Sequence, residues 1–77
     1  MLDYKAIGER IKKERRIKSM TQAELAELAD MSDTYISRIE RGVKKASLES
    51  LAKISRILHI PIYVLVFGSN SHINQMK

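Results

Sequence analysis

Cysteine is absent from the 77 residues, so neither a disulfide framework nor a thiolate metal site can form. Histidine occurs twice, at His59 and His72, too few to build a zinc site alone. Neither histidine has an evident catalytic partner, and the three glycines form no phosphate-cradling loop. These gaps argue against an enzyme, and no cofactor or metal is expected. No apolar run approaches the roughly 20 residues that span a bilayer. The first residues carry charge throughout and lack the apolar core of a signal peptide. A cytoplasmic protein with no membrane partner is the simplest expectation. A chain this short buries only a modest core, and partner subunits often supply the missing stability.

What is present is basic charge. The formal net charge is +5, from 14 Lys and Arg against 9 Asp and Glu. The excess is concentrated at one end: residues 1–20 hold seven basic and three acidic side chains, whereas residues 21–77 hold seven and six. Such a bias favours polyanionic partners, chiefly nucleic acid, although charge alone is equally compatible with no such partner.

Proline occurs once and glycine is scarce, and the pattern predicts five helices. Asp3 can cap a first helix to about Lys18, with Tyr4, Ile7 and Ile11 on one face and Ile17 near its end. Lys12, Lys13, Arg15 and Arg16 fall on its other faces. Thr21 and Glu24 have the spacing of a capping box, opening a second helix with Leu25, Leu28 and Ala29 as its apolar stripe. Asp30-Met31-Ser32 reads as a turn. Ser32 caps a third helix, with Ile36 and Ile39 inward, and Gly42 stops it. Ser47 caps a fourth helix to about His59, with Leu48, Leu51, Ala52, Ile54 and Leu58 on a wide apolar face. Pro61 suits the first turn of a short fifth helix over Ile62 to Phe67, a segment whose β-branched and aromatic residues also fit a strand. Gly68 ends it. One domain over 1–68 and a loose polar tail over 69–77 are expected.

The second and third helices are short and joined by a three-residue turn, a geometry that crosses them steeply and lets the later helix project. A projecting α-helix fits the major groove of B-DNA, where every base pair shows a distinct pattern of donors and acceptors. Leu25, Ala29, Met31, Ile36 and Ile39 are apolar at the spacing that locks such a pair, and Ala26 is small where the helices approach. Periodicity alone fits a plain αα-hairpin equally well. The residues themselves tip the balance. The run TQAELAELADMSDTYISRIERG, followed by SLESLAKI and PIYVLVF, closely resembles the bacteriophage repressor and Cro-like helix-turn-helix family, also called the XRE family, over roughly residues 5 to 67. Within it, the short length and the TYISRIERG run also resemble restriction–modification controller proteins.

The resemblance implies an all-α, five-helix lambda-repressor-like DNA-binding domain, acting as a sequence-specific transcriptional regulator on double-stranded DNA. It implies base reading by Asp33, Thr34, Ser37 and Arg38. Arg38 is the leading candidate, since a guanidinium can bind guanine bidentately. Asp33 equally fits a helix-dipole role. Phosphate candidates are Arg10, Gln22, Ser32, Tyr35, Arg41, Lys44 and Lys45, with packing beside the turn an equal alternative for Tyr35. Glu40 matches a family glutamate that pairs with a helix-one or neighbouring arginine. Where the family commonly has glycine in the turn, this chain has Asp30, which tolerates the left-handed conformation better than most residues. Ile62, Tyr63, Leu65, Val66 and Phe67 exceed the apolar needs of a small core: half of them can close the core, and as a set they suggest a homodimer interface, with recognition helices ~34 Å apart on a palindromic operator. The alternative is an antitoxin or other protein-interaction module on the same fold.

Overall fold

The computed structural model describes residues 2–68; the polar tail expected over 69–77, His72 included, lies outside the described residues. Five α-helices follow one another: α1 (Tyr4–Ile17), α2 (Gln22–Ala29), α3 (Asp33–Arg41), α4 (Leu48–Leu58) and α5 (Ile62–Phe67). Among the described residues there is no strand, and none of the helices is long and apolar enough to cross a membrane.

Each boundary has a local chemical cause. The side chains of Asp3, Thr21, Ser32 and Ser47 accept the backbone N–H three residues on, at Ala6, Glu24, Tyr35 and Ser50. Each satisfies a donor that the first helical turn leaves open. At α2 the box is complete, because the Thr21 N–H donates back to the Glu24 carboxylate at 2.8 Å. Pro61 precedes α5 with φ −62°, one position earlier than the sequence reading placed it, and offers no side-chain cap. The same segment forms a helix rather than a strand, with Leu65 turned into the core.

One core joins all five helices. Ile7 and Ile11 of α1, Leu25 and Ala26 of α2, and Ile36 and Ile39 of α3 meet Leu51, Ile54 and Leu58 of α4 and Leu65 of α5. Gly8 allows a close backbone approach in this core. A Cβ at that position would collide with the carbonyl oxygens of Ile39 and Glu40, so α1 crosses the end of α3 without an intervening side chain. Gly42 ends α3 with φ +76°, and its α-carbon faces the backbone of Lys5.

Three apolar side chains expected in the core are exposed instead. Ile17 is the last residue of α1, and 62% of it is exposed. Leu28 stands at the edge of the α2 stripe, where Leu25, Ala26 and Ala29 take the buried positions. Leu48 begins α4 and is 73% exposed. The reverse correction applies to Arg15. It lies four residues beyond Ile11, on the buried stripe, and not on the charged surface of α1.

Candidate nucleic-acid interface

The turn between α2 and α3 is built by three consecutive residues with different tasks. Asp30 takes the left-handed conformation, φ 56° and ψ 48°, and closes α2. The Met31 N–H then donates to the Ala26 carbonyl at 2.8 Å, and Ser32 starts α3 in extended geometry. The chain reverses within this short span, and α3 packs on α2 through Ile36 and Ile39. Asp at position 30 therefore does what glycine commonly does in the resembling family, at the modest strain a short polar side chain incurs there.

The inner face of α3 is Ile36, Ile39 and Glu40, all buried. Thr34, Ser37, Arg38 and Arg41 recur at three- and four-residue steps, so they share one outward face. Thr34, Arg38 and Arg41 are exposed and Ser37 is half-buried. Ion pairs among the described residues join Arg15 to Glu40 and Lys18 to Glu14, so Arg38 and Arg41 are bound to no carboxylate there. Asp33 is exposed at the start of the helix, where a carboxylate also complements the helix dipole. Lys44 and Lys45 follow in the exposed loop, with the Lys45 ammonium 6.0 Å from the centre of the Tyr4 ring.

Four of the sequence-predicted site residues are engaged by other parts of the fold. Arg10 is half-buried, and its guanidinium donates to the carbonyls of Leu65 and Val66 at 3.1 and 2.9 Å. Through Nη1 it therefore caps the C-terminal end of α5, a structural task that the phosphate assignment did not foresee. Tyr35 is half-buried, and its hydroxyl is bonded to Ser50 Oγ at 3.1 Å, tying α3 to the first turn of α4. The packing alternative is thus the one the structure adopts. Gln22 donates from Nε2 to Glu40 Oε1 at 2.9 Å. Leu65 has no exposed surface, so it belongs to the core and not to an interface.

Glu40 is the buried centre of this region. Its carboxylate receives Arg15 Nε on Oε2 at 2.7 Å and Arg15 Nη2 on Oε1 at 3.0 Å, a bidentate clasp. Arg15 also donates to the Met20 carbonyl at 2.7 Å, so α1, the loop before α2 and α3 are held together. The hydrogen bond to Glu40 raises the Arg15 pKa above its ordinary value, against the opposing effect of burial. Arg15 was hidden by its charge, yet its place at i+4 from Ile11 was the available signal.

A second surface lies across the molecule's apolar elements. Leu2, Tyr4, Leu48, Ile62, Tyr63, Val66 and Phe67 line a groove of about 360 Å³. Leu2, Leu48, Tyr63 and Phe67 are exposed, Phe67 at 69%. Ile62 and Val66 are only half-buried, so four of the five predicted interface residues border this groove. Leu2 and Leu48 were missed. Leu48 was assigned to the core from periodicity, and no pattern marked Leu2.

Two crossed helices with a tight turn, an apolar inner lock and an outward polar stripe define a helix-turn-helix domain. Residues 11–65 match the family model described as helix-turn-helix. The chain belongs to the helix-turn-helix family of phage-repressor and Cro-like type, and its fold is lambda-repressor-like. It is 39% identical to the control protein C.BamHI of Bacillus amyloliquefaciens over 72 residues, 91% of this chain and 89% of that protein. It resembles the restriction-modification controller protein C.AhdI of Aeromonas hydrophila with a TM-score of 0.78 and 30% identity, covering 82% of this chain and 96% of the other. It also resembles SinR of Bacillus subtilis, a master regulator for biofilm formation, in the structure of its complex with DNA. There the TM-score is 0.73 and the identity 38%, covering 77% of this chain and 95% of SinR as crystallised.

Proposed function

We propose that this protein is a sequence-specific transcriptional regulator that lays α3 in the major groove of double-stranded DNA. The observation that carries the reading is the outward face of α3. Thr34, Ser37, Arg38 and Arg41 point away from a helix whose opposite face is locked by Ile36 and Ile39. A rigid backing and free hydrogen-bonding side chains are what reading base edges demands. Thr34, Ser37 and Arg38 are the base readers, with Asp33 beside them. Gln22, Ser32, Arg41, Lys44 and Lys45 hold the phosphates and set the register. Selection of bound sites from a pool of random duplexes tests this. A reproducible motif is expected, and a pool with no enrichment would reject sequence-specific reading.

The groove lined by Leu48, Tyr63 and Phe67 supports assembly as a homodimer, and hence a palindromic operator with half-sites ~34 Å apart. Sedimentation across concentration, with and without the selected duplex, decides this; a monomer under all conditions rejects it. The similarity to C.BamHI and C.AhdI supports the narrower reading of a restriction–modification controller. A neighbouring methyltransferase and endonuclease gene pair is the observation that bears on that point. A protein-interaction module on the same fold would use the groove and leave the α3 stripe without a ligand. Its signature is a stable complex with another protein and no enriched DNA motif.

A further inference from the structure

The buried ion pair does more than fasten α1 to α3. Glu40 Oε1 accepts two hydrogen bonds, one from Arg15 Nη2 and one from Gln22 Nε2. The Glu40 side chain is 1% exposed, so its position is fixed by packing as well as by Arg15. Gln22 is the first residue of α2, and its amide nitrogen carries two hydrogens. One goes to Glu40, and the other has no protein partner among the described residues. The backbone N–H groups of Gln22 and Ala23 are also without one, because the Thr21–Glu24 box takes the donors on either side, at Thr21 and Glu24.

From this geometry we infer that Glu40 is a positioning residue for DNA binding: it anchors the Gln22 carboxamide so that its second N–H stands with the open donors of α2 as a preformed phosphate contact. The inference rests on the reading of the protein as a DNA-binding regulator and assigns part of that affinity to a carboxylate that never meets DNA. An exposed glutamine keeps considerable rotamer freedom, and ordering it on binding opposes association. Here Arg15 and Glu40 complete the ordering beforehand. The arrangement also answers a problem of sign. A carboxylate beside a phosphate site would repel it, but the bidentate guanidinium neutralises Glu40, and only the neutral amide faces outward.

The test separates positioning from mere stability. Arg15→Met with Glu40→Leu replaces the pair by apolar side chains, a change that buried ion pairs often tolerate without loss of fold. Gln22→Met removes the donor at constant length. Affinity for a fixed random-sequence duplex, by fluorescence anisotropy, is measured for the wild type, each change and the combination. Gln22→Met is expected to weaken binding about tenfold. Its salt dependence should be unchanged, since no charge is removed. The apolar pair should weaken binding several-fold while the circular dichroism stays native, and should add nothing in the Gln22→Met background. A native-like apolar-pair variant that binds as the wild type does, or losses that multiply, overturns the positioning role alone. A wild type that binds no duplex overturns the DNA-binding reading itself. If the apolar pair does not fold, the wild-type side-chain amide resonances of Gln22 decide: one N–H must shift on adding duplex, and two unmoved signals overturn the inference.

Discussion

The outward faces of α3 and α5 offer a controlled comparison. Both helices are short, and both bury an aliphatic anchor, Ile36 and Ile39 in one and Leu65 in the other. Their remaining surfaces diverge. That of α3 carries hydroxyls and guanidinium groups bound to no carboxylate among the described residues, whereas that of α5 presents Tyr63 and Phe67 to solvent. The same secondary structure therefore leaves two surfaces of opposite character. A polar stripe on a rigid helix suits base edges, and an apolar ridge on a small domain suits another protein. The comparison also shows how the two differ in support. Behind α3 stands a buried polar clasp, while α5 is closed at its C-terminal end by the long reach of Arg10 from α1.

The largest effect should come from the shared inner layer. Ile36→Ala or Leu65→Ala removes a fully buried side chain and should each cost about 2–5 kcal/mol of stability, read by urea unfolding. A loss below about 1 kcal/mol at either site would mean that the helix is not anchored there as described. Next is the outward face of α3. Arg38→Ala should lower affinity for the selected site by about 1–3 kcal/mol and leave affinity for random duplex nearly intact. Equal losses on both would turn Arg38 into a phosphate contact and erase the distinction between the stripe and the loop.

On the α5 side, Tyr63→Ser with Phe67→Ser should raise the dissociation constant of the proposed dimer about tenfold or more, by sedimentation. The melting temperature of the monomer should change little, because both side chains are exposed. Unaltered association would move any interface away from this groove. The smallest change expected is for Lys44→Ala and Lys45→Ala. Each should weaken all duplexes alike and reduce the slope of log affinity against log salt by about 1. A slope that does not move would show that the loop does not meet the backbone of DNA.

The sequence announced helix starts more clearly than it announced what each helix buries. Asp3, the Thr21–Glu24 box, Ser32, Ser47 and Gly42 are local signals whose physics needs only neighbouring residues, and the structure uses them all. The expected five-helix architecture followed from them and is the one observed. Burial is a property of distant neighbours. Leu48 obeys the helical period of α4, yet its side chain falls on the open groove beside Tyr63 and Phe67, while Leu51 of the same turn is buried. Arg15 obeys the period of α1, and only the arrival of Glu40 from 25 positions away makes its burial tolerable. Arg10 looked like a surface cation because its partners, the Leu65 and Val66 carbonyls, are backbone atoms that no side-chain pattern reveals. The outward stripe of α3 was legible for the opposite reason. It depends on helical spacing and on Ser32 fixing where that spacing begins.

The division of α3 into an inner and an outer face has a consequence for descent. Thr34, Arg38 and Arg41 contribute little to the stability of the fold, since their side chains are exposed and form no ion pair among the described residues. Substitutions there fall in the class whose effect on folding is usually within about 0.5 kcal/mol. A lineage of such chains can therefore change these positions one at a time and remain folded at every step. Ile36 and Ile39, interleaved with them on the same helix, are buried and have no such freedom, and Glu40 can change only together with Arg15. On the proposed reading, a change of operator preference asks only for drift at a few surface positions and leaves the scaffold beneath them untouched.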